Sequence, residues 1–496
     1  MVWSAPLSLT VTPGGPLFQS AAYLLVFLIC VVVLAQVASR TMRQTVLLIA
    51  SYGLYLTWAR WFAAVLLFSV VINFVLGQWL RRSPTPARLW VGVIFNLLLL
   101  GAFKYIPEVS VQLPFSSLQN FSHLALPLGI SFWTFQALSY LFDVYRGEEL
   151  DPTLPEFALY MAFFPVTISG PVCRMPDMLP QFRTEQTTSW ADVGEGLRRI
   201  AIGALMMQLA KLLGQGILAG DSIVSGFDRV TRWSGSDVWC LALGFGLQLF
   251  FDFAGYSHIA IGAARALGIG VPENFQRPFA ATSPSIFWTR WHMSLSFWIR
   301  DYVFFPLATM RREIWWRSVA LLISMAIFGL WHKASLLFLI WGCYHGLLLI
   351  LHRQVQHAER KLNWEPPAAP WNFASWMLTM ALISVGWIFF RANSLSQAGR
   401  MLSALVSPSS YSDHFLSSSL YLLIGLLGAG YALVLWIAPL LAPQPESAQG
   451  NSKLSGFLAH WQWFWIPPLY ALAMLFVLMI TLTQGGGAAQ LMYRGF

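Results

Sequence analysis

The sequence predicts an all-α membrane protein, a polytopic bundle of transmembrane helices with ten to twelve crossings. Three observations predict this class. Hydrophobic residues make up 57% of the 496 positions and charged residues 10%, whereas soluble domains carry about 25% charged residues. The mean hydropathy is +0.61. Apolar runs also recur along the whole chain, several near the roughly 20-residue length that a helix needs to cross the hydrocarbon core.

Thirteen apolar runs are candidate spans, and several of them are too short to cross alone. They lie near 20–38, 45–59, 61–80, 89–103, 124–142, 157–172, 200–218, 238–265, 317–332, 335–351, 373–390, 418–441 and 464–483. The runs at 157–172 and 200–218 have Gly or Pro context that favours re-entrant or half-buried segments, because irregular backbone at membrane depth needs a protein or water-filled cover. Ten to twelve crossings follow.

The charge distribution predicts an orientation. The chain carries 30 Lys+Arg against 21 Asp+Glu, a net charge of +9. Most of the excess lies in short loops beside apolar runs, where it marks topology and anchors lipid headgroups. Arginines cluster after the first span, after the third span and in 173–199, so we expect these segments in the cytoplasm and the N-terminus outside. The absence of a basic face with interleaved aromatics excludes nucleic-acid binding.

The four cysteines lie far apart and form no C-x-x-C pair, so the sequence predicts neither a disulfide framework nor a metal site. Cys30, Cys240 and Cys343 lie in apolar runs and are expected to pack as small hydrophobes. Cys173 lies beside Arg174 and is the candidate reactive thiol.

The segment 245–350 is unusually rich in ionisable residues for a membrane protein. These residues are Asp252, His258, Glu273, Arg277, Arg290, His292, Arg300, Asp301, His332, Lys333 and His345. An ionisable group at mid-bilayer costs about 2.5–3.5 kcal/mol on insertion scales. They therefore either pair structurally or line an aqueous path.

Two histidines are the candidate catalytic residues. His332 lies at the junction of two apolar runs. Trp288, His292 and Ser296 recur at i, i+4 spacing, which predicts one aromatic-rich helix over 287–302. A neutral imidazole takes a proton from an alcohol near pH 7, although packing histidines are common in such helices. The chain lacks a G-x-S-x-G elbow, so direct attack by an acceptor hydroxyl is favoured over an acyl-serine intermediate.

Two other polar residues are first interpreted as structural, and a third has two possible functions. Asp252 has Tyr256 one turn on, and His345 lies beside Gly346 on an apolar run. Lys333 either lowers the pKa of its neighbour His332 or attracts an anionic donor.

Six blocks follow one another in an order that is similar to one family. They are LGISFWTFQALSYLFDVYRGE (128–148), FFPVTISGPVCRMPDMLPQF (163–182), DFAGYSHIAIGAARALGIGVPENFQRPF (252–279), FWTRWHMSLSFWIRDYVFFPL (287–307), GLWHKASLLFLIWGCYHGLLL (329–349) and GWIFFRANSLSQAGRML (386–402). The chain resembles the membrane-bound O-acyltransferase superfamily, in its bacterial alginate O-acetylation branch. Lys333 and His258 stand where that family usually has glycine and aspartate.

The resemblance implies one membrane-embedded domain over 1–496, with a family core at about 125–405 between N-terminal helices (1–124) and C-terminal helices (406–496). It implies about eleven transmembrane helices around a central tunnel, with re-entrant or interfacial helices. The family's invariant histidine corresponds to His332 and its second histidine to His292. Arg277, Arg290 and Trp291 are the expected donor-tunnel residues.

The resemblance also implies an O-acyltransferase of the bacterial inner membrane. Its co-substrate would be an acyl thioester, acetyl-CoA or an acyl carrier, with no tightly bound cofactor and no metal. The acyl group would pass to an exported glycan with the help of an extracytoplasmic hydrolase-fold acetyltransferase and the glycan-synthesis machinery. A lipid-linked or small-molecule acceptor, and a non-catalytic transporter or scaffold, are the alternatives.

Overall fold

The computed structural model describes residues 21–58, 60–107, 126–216, 222–228, 230–362 and 368–441. This part of the chain is built from helices, which confirms the all-α class. The α-helices are Ala21–Leu34 (α1), Arg40–Trp58 (α2), Arg60–Arg82 (α3), Pro86–Leu100 (α4), Ile130–Tyr145 (α5), Leu154–Ala162 (α6), Met175–Phe182 (α7), Trp190–Gln215 (α8), Ile223–Asp228 (α9), Gly235–Ala266 (α10), Pro284–Trp288 (α11), Met293–Ile299 (α12), Phe305–Thr309 (α13), Ile314–His332 (α14), Leu336–Leu362 (α15), Ala368–Arg391 (α16), Leu395–Val406 (α17) and Ser418–Leu441 (α18). Two π-helical turns, Gly101–Tyr105 and Arg300–Phe304, directly follow α4 and α12.

Seven of the described helices are long and apolar enough to cross a membrane: α3, α4 with its π-helical turn, α10, α14, α15, α16 and α18. Their bounds agree with the predicted spans at 61–80, 317–332 and 418–441 within a few residues. The predicted span at 464–483 lies outside the described residues. The total of about eleven crossings and the central tunnel stay predictions.

Helix α10 forms the centre of the bundle. Of its 18-residue apolar window, 89% is buried inside the protein, against 17–39% for the other candidate spans. Small residues let α8 approach it closely. A Cβ on Gly196 would lie 2.5 Å from the carbonyl oxygen of Gly262, and a Cβ on Gly203 would overlap that of Gly255. Glycines at helix contacts allow such backbone approach, which favours van der Waals packing between membrane helices.

The predicted span at 157–172 is helical only as far as Ala162 and continues as buried turns over 163–174. Its irregular backbone takes hydrogen bonds from the protein. Ser51 Oγ accepts from the Phe164 amide at 3.2 Å, and Tyr160 Oη donates to the Cys173 carbonyl at 3.0 Å. This is the protein-covered irregular backbone that the membrane interior permits.

Candidate active site

His332 is the last residue of α14 and lies at the tip of a tight hairpin formed by α14 and α15. The helices touch through their backbones. A Cβ on Gly329 would overlap the carbonyl oxygen of Phe338, and a Cβ on Gly342 would overlap that of Met325. Glycine at both contacts permits this approach. The hairpin therefore fixes the position and orientation of His332.

Aromatic rings surround the His332 imidazole, which is 4% exposed. The ring centroids lie 4.7 Å away for Trp331, 5.1 Å for Phe328, 5.3 Å for Phe390 and 5.5 Å for Trp341. Such a shell excludes bulk water, so a reactive thioester held beside this imidazole would be shielded from hydrolysis.

His292 lies in a turn between α11 and α12, with a backbone φ of 45°. The predicted continuous helix over 287–302 is therefore wrong. The backbone at Trp291 forms an antiparallel bridge with Phe275 in the preceding loop. Backbone groups that pair with this loop are unavailable to a continuous helix, since each donor and acceptor needs its own partner. His292 therefore lies in a turn rather than within a helix, and its side chain is buried in the protein interior.

Buried hydrogen bonds hold the His292 ring. Its Nδ1 lies 3.0 Å from Oδ1 of Asn274, and Ser294 Oγ donates to the same oxygen at 2.8 Å. The Val172 amide donates to Ser294 Oγ at 3.0 Å, and Asn274 Nδ2 donates to Ser257 Oγ at 3.1 Å. Asn274 is fully buried and His292 is 1% exposed. The side-chain amide of Asn274 thus connects its own loop to α10 and α12, and through Ser294 to the 163–174 turns.

The two histidines share one aromatic enclosure. Trp288, four residues before His292, packs 5.3 Å from Phe328 and 5.9 Å from Trp341, both of which contact His332. A series of ring contacts also links the two imidazoles. Phe253 lies 4.5 Å from the His292 ring, and the rings of Phe275, Trp291, Trp387 and Phe390 connect it in turn to His332. We call this enclosure the aromatic chamber: Phe328, Trp331, Trp341 and Phe390 around His332, Trp288 against Phe328 and Trp341, and Phe253 against His292.

The three expected donor-tunnel residues divide between the interior and the surface. Trp291 is 5% exposed and lies 5.0 Å from the ring of Trp387 in the aromatic interior. Arg277 is exposed at a turn with φ 51°. Arg290 is half-buried and donates to the carbonyl oxygen of Ala280 at 3.3 Å. Both guanidinium groups belong to adjoining turns outside the chamber's ring shell.

Lys104 is a functional candidate that the sequence analysis missed. It lies in the π-helical turn after α4 and is 8% exposed. Its Nζ donates to the carbonyl oxygen of Trp331, the residue before His332, and lies 4.6 Å from the Trp331 ring centroid. Tyr105 Oη donates to the same carbonyl at 3.4 Å. Carbonyls in the last turn of a helix lack intrahelical partners and attract cations, so Lys104 anchors the end of α14.

The other polar candidates have structural partners. His258 accepts from Arg199 Nε at 3.3 Å, and Arg199 also pairs with Glu273 at 2.8 Å. Lys333 is exposed at the turn of the hairpin. His345 is fully buried, with its ring 5.0 Å from Trp341 and 5.1 Å from Trp288.

Cys173 is also structural. It is fully buried, and an enclosed cysteine of this kind is chemically inert.

Comparison with known proteins identifies a family and several relatives. Residues 49–390 match the model of the membrane-bound O-acyltransferase family. The chain is 34% identical over 407 residues to a probable alginate O-acetylase AlgI of Pseudomonas syringae pv. tomato, with 79% of this chain and 75% of the relative covered.

Two further relatives carry other names. A peptidoglycan O-acetyltransferase of Helicobacter pylori is 32% identical over 397 residues, covering 73% of each chain. A teichoic acid D-alanyltransferase of Bacillus subtilis is 29% identical over 313 residues, covering 60% of this chain and 76% of the relative.

Proposed function

The chain belongs to the membrane-bound O-acyltransferase family and is an O-acyltransferase embedded in the membrane by several helices, and we propose that it moves an acetyl group towards an exported glycan. The donor is a cytoplasmic acyl thioester, acetyl-CoA or an acyl carrier. The acceptors are hydroxyl groups of a secreted polysaccharide or another cell-envelope glycan.

The observation that carries this proposal is the pair of histidines in the aromatic chamber. His332 comes from the tip of the α14–α15 hairpin, and His292 comes from a turn held by a different part of the chain. Two imidazoles supplied by independent elements, in a chamber that excludes water, suit an acyl transfer that must avoid hydrolysis.

The proposed step needs no acyl-enzyme intermediate. As the acceptor oxygen attacks the thioester carbonyl carbon, His332 removes the hydroxyl proton. The tetrahedral intermediate collapses, the C–S bond breaks, and the imidazolium returns the proton to the leaving thiolate. The products are an O-acetyl ester and a free thiol. His292 orients the acceptor or donor, or stabilises developing charge.

Acetyl transfer is favoured over D-alanyl transfer by the extent of similarity. Acetylating relatives cover 73–79% of this chain at 32–34% identity, whereas the D-alanyltransferase of Bacillus subtilis covers 60% at 29%. The names of the acetylating relatives refer to glycans, which favours a glycan acceptor over a lipid-linked or small-molecule hydroxyl. Two buried histidines in one chamber favour catalysis over a transporter or scaffold.

The remaining details follow from the orientation that the arginine clusters indicate. We place the protein in the bacterial inner membrane, with its N-terminus outside and 173–199 in the cytoplasm. The thioester would then enter from the cytoplasmic side, near Arg277, Arg290 and Trp291. An extracytoplasmic hydrolase-fold acetyltransferase would complete delivery to the glycan.

Membrane vesicles of defined orientation test this function. Vesicles from cells that make the glycan would receive acetyl-CoA labelled in the acetyl group, and label in the glycan would be measured. We expect chain-dependent labelling in inside-out vesicles and little in right-side-out vesicles, because CoA does not cross a bilayer. Chain-dependent labelling confined to right-side-out vesicles would contradict the cytoplasmic donor.

A further inference from the structure

The buried amide of Asn274 lies within hydrogen-bond distance of His292, with 3.0 Å between Asn274 Oδ1 and His292 Nδ1. We propose that Asn274 is a positioning residue that fixes which nitrogen of His292 carries the proton, with Ser294 fixing the direction of the amide. This inference rests on the proposed function for its consequence in catalysis. It removes charge stabilisation from the possible roles of His292 and leaves the orientation of a substrate group.

The direction of the amide follows from Ser294. Its Oγ accepts the Val172 N–H at 3.0 Å, and its own proton points to Asn274 Oδ1 at 2.8 Å. If the amide were turned over, its NH2 group would face Ser294, and the hydroxyl proton would lose its acceptor. Buried donors rarely lack an acceptor in native proteins. The carbonyl oxygen of Asn274 therefore faces both Ser294 and His292.

The other half of the amide agrees with this direction. Asn274 Nδ2 donates to Ser257 Oγ on α10 at 3.1 Å. The backbone carbonyl of Asn274 also accepts the Met293 amide at 2.9 Å, which ties the loop to the start of α12. Both ends of the side chain and its backbone are thus held.

The proton position on His292 follows from the amide direction. An amide oxygen only accepts, so the Nδ1 of His292 must donate to it across the 3.0 Å contact. In the neutral imidazole one nitrogen carries the proton and the other accepts. Nε2 is therefore the accepting nitrogen.

This tautomer decides what His292 does for the reaction. A neutral ring that accepts through Nε2 orients a group bearing a hydrogen, such as the acceptor hydroxyl or an amide N–H of the donor's pantetheine arm. It does not donate to an oxyanion. We therefore assign His292 to substrate orientation, with proton removal left to His332.

Nitrogen NMR of the purified full-length protein, labelled with ¹⁵N in its histidine rings, tests this directly. The spectrum separates protonated from unprotonated ring nitrogens, and the His292→Gln variant identifies the His292 signals. We expect Nδ1 protonated and Nε2 unprotonated in the wild type at neutral pH. Protonation of Nε2 with an unprotonated Nδ1 would overturn the inference.

Variants at Asn274 separate positioning from packing. Asn274→Leu removes the acceptor and should give a mixture of tautomers, whereas Asn274→Asp keeps an oxygen and should keep Nδ1 protonated. With acetyl transfer as readout, Asn274→Leu should lower kcat by about 10²-fold with little change in KM, the loss expected when a reacting group is misplaced by about 1 Å. Full retention of the Nδ1 proton in Asn274→Leu would contradict the inference.

Asn96→Leu provides the matched control. Asn96 is another fully buried asparagine, paired with Asn73 between α3 and α4. Its loss should leave both the His292 signals and kcat unchanged. Failure of the proposed function and failure of the positioning role of Asn274 give different results. A fully active His292→Ala with the expected wild-type spectrum would refute the role of His292 while leaving the hydrogen-bond assignment standing.

Discussion

The glycine contact in the α14–α15 hairpin makes a sharp prediction for Gly329→Ala. A Cβ at this position would overlap the carbonyl oxygen of Phe338 and would lie 3.1 Å from its carbonyl carbon and 3.2 Å from the Cα of Gly342, where ordinary contact begins at 3.4 Å. The obstructing atoms belong to the backbone, so no side-chain rotation relieves the overlap. The two helices must separate.

The separation acts directly on the proposed base, because His332 lies three residues after Gly329 in the same helix. A misplacement of about 1 Å is enough to cost about 10²-fold in rate. We therefore expect Gly329→Ala to lower acetylation by about 10²-fold while the protein still inserts in the membrane.

Glycan acetylation in cells, divided by the amount of protein in the membrane, measures this loss. Gly425→Ala on α18 is the control, since a Cβ there meets no atom within 4 Å. The control should acetylate like the wild type. Wild-type acetylation by Gly329→Ala would refute the view that the tight hairpin positions His332.

Two further predictions concern the buried cation and the orientation. Lys104→Met should lower acetylation at least about tenfold, because a hydrogen bond to a charged group contributes about 1.5–3 kcal/mol and the bond from Lys104 holds the Trp331 carbonyl next to His332. Lys104→Arg keeps the charge and should lose less acetylation. Equal losses in the two variants would show that the charge is unimportant. A cysteine replacing the exposed Thr187, in a chain whose Cys343 is replaced by alanine, should resist an impermeant thiol reagent in intact cells and react after permeabilisation. Ready labelling of intact cells would reverse the orientation.

Hydropathy was sufficient for the helices that face lipid. The predicted spans at 317–332 and 418–441 correspond to Ile314–His332 and Ser418–Leu441, because a membrane helix must be apolar over its whole length. At 157–172 the Gly and Pro context indicated a re-entrant or half-buried segment, and the helix indeed ends at Ala162 and is followed by irregular buried backbone. There, side chains elsewhere in the chain satisfy an irregular backbone, and sequence spacing does not reveal such long-range partners.

The candidate histidines could be predicted, but their setting could not. The i, i+4 recurrence of Trp288, His292 and Ser296 indicated a helix, whereas the backbone leaves the helix at a left-handed residue. Asn274, the hydrogen-bond partner of His292, lies in a loop bracketed by prolines. That pattern indicated a turn and gave no sign of a contact with His292. Lys104 follows an apolar run, where a lysine usually anchors the membrane interface, and its contact with Trp331 spans 227 residues of sequence.

His332→Ala tests the central claim of the account most directly. Its comparison is His345→Ala, which removes another buried imidazole from the same hairpin, one packed between Trp288 and Trp341. The measurement is glycan acetylation in cells at matched membrane levels of the two variants. General-base catalysis contributes about 10²–10⁴-fold, so His332→Ala should lose nearly all acetylation while His345→Ala keeps most of it. Near-normal acetylation by a well-expressed His332→Ala would contradict the proposed mechanism.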